Sequence, residues 1–83
     1  MPITIVANDL PKQMHPEQYD AAIREAMCLA TDDCQVYVVK LEDRFGVEVT
    51  IAGSKGTWSR EFLGLQATPA HIYRTLKNDC PRD

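Results

Sequence analysis

No apolar run in this 83-residue sequence exceeds five residues, far below the ~20 that a membrane-spanning helix needs. The stretch over residues 3–6 is too short for a signal-peptide core, and Pro2 and Asp9 frame it. A strong basic excess is also missing: nine Lys and Arg stand against 12 Asp and Glu, a net charge of -3. A dedicated duplex nucleic-acid binder shows a basic stripe, and none is visible. Cysteines number three (Cys28, Cys34, Cys80), an odd count at irregular spacing that does not suit a secreted disulfide scaffold. The expectation is a reduced, cytoplasmic protein with free thiols.

Chemistry-bearing motifs are equally sparse. Structural zinc sites bring ligand pairs two to four residues apart on a short loop, about the spacing that tetrahedral geometry allows. Cys28 and Cys34 lie six apart, and His71 and Cys80 nine apart, so no metal ligand is assigned. No catalytic group and no cofactor are assigned either. The segment Gly53-Ser54-Lys55-Gly56 joins two strands and opens no helix, which removes the geometry of a phosphate loop. Asp32 and Asp33 read as a helix stop. A thiol nucleophile would need a base and an orienting group. Cys28, placed opposite the apolar face of the first helix, is the residue on which a cysteine-dependent enzyme would rest.

What is present is periodicity. Hydrophobic content of 45% and charged content of 25% are ordinary for a globular domain. The length predicts a single domain over 1–83 that is a complete small protein, with an ordered core over about 3–79 and a short frayed tail. A short strand is predicted over 3–6. His15, Pro16 and Glu17 then form a helix start, with His15 as N-cap and Pro16 at the first helical position. Met14 and Tyr19 are placed as a hydrophobic staple across it. Tyr19, Ala22, Ile23, Ala26, Met27 and Ala30 fall on one helical face.

Strands follow over 35–42, 47–52 and 57–63, separated by turns at 43–46 and 53–56, with Gly46 free to take positive φ. Thr68 and Pro69 open a second helix carrying Ile72, Tyr73 and Leu76, and Pro81 stops it. The order β-α-β-β-β-α predicts an α+β two-layer sandwich: an antiparallel sheet with both helices on one face. Charge is uneven along it. Through Asp33 six acids meet two bases (-4), and from Cys34 onward seven bases meet six acids (+1). The helix–three strands–helix segment over 16–78 resembles the double-stranded-RNA-binding domain in element order. That family has a lysine cluster at the start of its last helix. The matching positions here are Pro69, Ala70 and His71, so no binding residue is carried over.

Facing decides the candidate site. Alternation turns Val47, Val49 and Ile51 toward the helices. In strand two, Tyr37, Val39 and Leu41 are the larger set and are expected inside, which leaves Val36, Val38 and Lys40 on the open face. In strand four, Trp58, Arg60 and Phe62 share one side. Either Trp58 and Phe62 join the core with Arg60 reaching the rim, or all three lie outward beside Val36, Val38 and Lys40. In the outward case the six residues form an apolar patch edged by basic charge. Such a patch suits a protein partner or self-association as a homodimer. The function expected is a small non-enzymatic protein-interaction module, such as a bacterial or phage-borne regulator or inhibitor of a larger protein. The alternative is binding of single-stranded nucleic acid or RNA by stacking on the open sheet face.

Overall fold

The computed structural model describes residues 3–27, 33–53 and 56–79. Its elements are β1 (Ile3–Asn8), α1 (Pro16–Ala26), β2 (Cys34–Lys40), β3 (Gly46–Gly53), β4 (Gly56–Leu63) and α2 (Pro69–Asp79). Short 3-10 turns at Lys12–Met14 and Gly64–Gln66 complete the path. The fold is α+β, with four strands in the order β1-β2-β3-β4. The sheet is mixed, not antiparallel. β2, β3 and β4 form an antiparallel meander, but β1 runs parallel to β2. Helix α1 is the reason: it carries the chain back to the starting end of the sheet, so the strand that follows it lies parallel to the one before.

One face of the sheet is buried. Val36, Val38, Val47, Val49 and Phe62 are all at most 1% exposed. They share a single core with Tyr19, Ile23 and Ala26 of α1 and with Ile72 and Leu76 of α2. Burial of this apolar area, at about 25 cal/mol per Å², is what fixes the strand facing. Tyr19 ties the layers together: its O–H donates to the carbonyl of Ala67 at 2.7 Å. Asn8 fastens β1 to the start of α1, its Nδ2 donating to the Pro16 carbonyl at 3.0 Å and to Asp20 Oδ1 at 2.6 Å.

Local signals act partly as expected. Thr68 Oγ1 accepts from the His71 N–H at 3.3 Å at the start of α2, an N-cap bond that satisfies one orphan donor. Met14 packs on the core that holds Tyr19. His15 occupies the N-cap position of α1 but makes no side-chain cap there. Its N–H closes the preceding 3-10 turn on the Lys12 carbonyl, and at φ 55, ψ 67 it serves as a left-handed C-cap. Gly46 is not at positive φ; Gly56 and Gly64 are. What Gly46 supplies is close approach: a Cβ there would lie 2.7 Å from the Phe62 carbonyl oxygen. Ala30, the stop at Thr31 and Asp32, the turn residues Ser54 and Lys55, Pro81 and the frayed tail over 80–83 lie outside the described residues.

Candidate interaction surface

The six residues singled out from sequence do share one face, and that face is the core. Cross-strand register aligns them in three rows: Val36, Ile51 and Trp58; Val38, Val49 and Arg60; Lys40, Val47 and Phe62. Val36 and Val38 have no exposed surface, which corrects their placement on the open face. Phe62 is 1% exposed and meets the His71 ring edge-on at 5.9 Å. Trp58 is half-buried against the same core. Arg60 reaches solvent with its guanidinium 5.9 Å from the Trp58 ring. Lys40 is exposed at the end of its strand, its Nζ donating to the Leu41 carbonyl. The inward set expected for strand two is corrected in turn: Tyr37 is exposed and Val39 half-buried on the opposite side.

The open face therefore differs from an aromatic platform. Tyr37, Thr50 and Ser59 form its central row, and Val39, Glu48 and Glu61 the next. Its only aromatic on β2, β3 and β4 is Tyr37, and those strands place no Lys or Arg there. Two carboxylates directly opposite each other, Glu48 and Glu61, repel an approaching phosphate backbone.

A second exposed feature lies at the end of the sheet, and the sequence reading passed over it. Phe45 is 60% exposed, Leu63 40% and Leu65 95%. They are neighbours in space because Leu63 pairs with Gly46 and the Gly64 N–H donates to the Phe45 carbonyl at 3.1 Å. The turn that carries Leu65 is held on both sides. Gly64, at φ 57, makes the reversal that a side chain would strain. Ala67 then donates to the Gly64 carbonyl, and Ala67 is buried and bonded by Tyr19. Leu65 is thus displayed from an anchored loop. Beside it Arg44 bridges Asp43 at 3.3 Å and Glu61 at 3.9 Å, giving the apolar tip a polar rim. The signal in the sequence is an aromatic inside a hydrophilic hairpin turn and a leucine between Gly64 and Gln66.

Other surfaces offer less. An open groove of about 730 Å³ runs between the helices, lined in part by Glu25, Tyr73, Arg74 and Lys77; its Lys77 already lies over the Tyr73 ring and bonds its hydroxyl. Among the described residues no His, Cys, Asp and Glu cluster of three could hold a metal ion. Cys34 is half-buried; Cys28 and Cys80 lie outside the described residues. Burial raises the Tyr19 phenol above its ordinary pKa. No helix among the described residues is long and apolar enough to cross a membrane. No protein-family model, no curated protein and no solved structure matches this chain.

Proposed function

We propose that this chain is a non-enzymatic protein-interaction module that docks on a larger protein through Phe45, Leu63 and Leu65. The observation that carries the proposal is Leu65, 95% exposed on a turn held by backbone hydrogen bonds and by buried Ala67. A single exposed leucine is ordinary, but three large apolar side chains exposed on adjoining backbone at one end of the sheet make a patch of the kind that marks contact sites. Burying such a side chain fully contributes about 1.5–3 kcal/mol. An anchored turn loses little conformational entropy on binding. The Arg44–Glu61 rim supplies the polar border that interface cores have. A module of this kind acts by occupying a surface of its partner, as a regulator or inhibitor does.

The test is affinity capture from lysate of the source cells with the wild-type chain and with a Phe45→Ser, Leu65→Asp double variant. A discrete protein retained by the wild type and lost with the variant, at unchanged thermal melting, supports the docking role. Identical retention by both chains counts against it.

A further inference from the structure

β4 ends the sheet, and the hydrogen-bonding phase of its free edge follows from the strand beside it. The Leu41 N–H donates to the Gly46 carbonyl, so Gly46 turns its backbone groups toward β2. Alternation then turns Val47, Val49 and Ile51 toward β4, a phase that the Gly64-to-Phe45 bond continues. Their partners Phe62, Arg60 and Trp58 direct their backbone groups into the sheet. Thr57, Ser59 and Glu61 direct theirs outward. This edge has no register break, no proline and no lysine from 56 to 63; of the devices that blunt a free strand it carries only the charges of Arg60 and Glu61. The opposite edge is blunted in its backbone. β1 shifts register between Ile5 and Ala7, and the Arg24 guanidinium donates to the Ile3 carbonyl at 3.4 Å.

We propose that β4 pairs antiparallel with β4 of a second copy of this chain, about a two-fold axis normal to the sheet at Ser59. Such an axis must centre the register on one residue, and side-chain charge selects which. Centred on Arg60, two guanidinium groups stand directly opposite; centred on Glu61, two carboxylates do. Both arrangements repel. Centred on Trp58, fewer outward groups find partners. Centred on Ser59, three outward residues are satisfied: Ser59 pairs with its own copy, and Thr57 with Glu61 of the second copy, in both directions. Between those pairs Trp58 stands opposite Arg60 of the second copy, twice by symmetry. This is the closer, non-hydrogen-bonded spacing of about 4.5 Å between Cα atoms. Indole and guanidinium attract there as cation and π face; the same two side chains already meet within one chain, along β4.

Pairing merges two four-stranded sheets into one and turns the core faces of both copies to the same side. Leu63 lies four residues from the axis, so the two apolar tips stand about 27 Å apart along the strand direction. The pairing uses the β4 edge and does not depend on the docking role proposed for Phe45, Leu63 and Leu65.

Sedimentation equilibrium on the full chain tests the proposal. The wild type is expected to dimerise. Thr57→Glu, an exposed change, sets carboxylate against Glu61 of the second copy and should weaken the dimer about tenfold. Adding Glu61→Lys to it should restore association, because each carboxylate introduced at position 57 then faces an ammonium at position 61 of the second copy. Circular dichroism melts confirm that each variant is folded. As an independent check, Ser59→Cys should form a disulfide between copies through position 59, whose Cα atoms meet at about 5.5 Å across the axis. A wild type that stays monomeric at millimolar concentration overturns the proposal. So does a dimer that Thr57→Glu leaves unchanged or that Ser59→Cys does not link through position 59.

Discussion

Phe62→Ala removes the largest side chain that the fold buries completely among the described residues. Its ring sits under the helices, edge-on to His71, and its loss leaves a cavity in the core. Phe→Ala at such a site costs about 3–5 kcal/mol. A domain of this length is stable by roughly 4–12 kcal/mol at 0.05–0.15 kcal/mol per residue, so the change removes a large share of the total. Each kcal/mol moves the melting temperature of a 60–100-residue domain by about 4–8 °C, and the drop should exceed about 12 °C. Leu65→Ala, three positions along the chain, touches a side chain that is 95% exposed and should stay within about 0.5 kcal/mol. Urea melts followed by circular dichroism and by the fluorescence of Trp58 measure both variants. A Phe62→Ala loss below about 1 kcal/mol, or a Leu65→Ala loss above it, would refute the facing of β4 and the display of the tip.

Three more outcomes follow from the same geometry. Val38→Asp places an unpaired carboxylate at a site with no exposed surface and should abolish folding. Tyr37→Lys, next to it on the open face, should leave the amide NMR spectrum dispersed. Gly46→Ala drives a Cβ to 2.7 Å from the Phe62 carbonyl oxygen, a backbone atom that cannot yield, and should cost about 1–3 kcal/mol in chemical denaturation. Tyr19 has a folded pKa raised by burial above the ordinary phenol value of about 10. Its contribution is therefore fully present below that pH and is lost as pH rises through the folded value. Tyr19→Phe should be about 1 kcal/mol less stable at neutral pH, since it loses the bond to Ala67. Its stability should fall less than that of the wild type in alkaline melts.

Element order was legible because each element carries its own signal. The Pro16 start, the alternation of Val47, Val49 and Ile51, and Thr68-Pro69 all mark what the structure contains. The parallel β1 was not read, because a six-residue strand carries no mark of its direction. Only the helix between β1 and β2 supplies it.

The facing of β2 was ambiguous within the strand, since both phases are apolar. Register decides it. Six residues separate the partners Lys40 and Val47, and an even number between partners pairs odd positions of β3 with even positions of β2, as also in Ile51 with Val36. Counting the turn would have placed Val36 and Val38 in the core without a structure. The same count runs on through Trp58 and Phe62. The apolar tip was missed for a different reason. Phe45 and Leu65 lie 20 positions apart in the sequence and become neighbours only when β3 and β4 pair and Gly64 bonds to Phe45.

Site-specific photo-crosslinking tests the docking surface most directly. A photoreactive residue at position 65, on the apolar tip, is compared with one at Gln13, which is exposed on the 3-10 turn before α1. One discrete protein adduct is expected from position 65, lost when Phe45 is replaced by serine, and none from position 13. Equal crosslinking from both positions, or an adduct from position 13 alone, would contradict it.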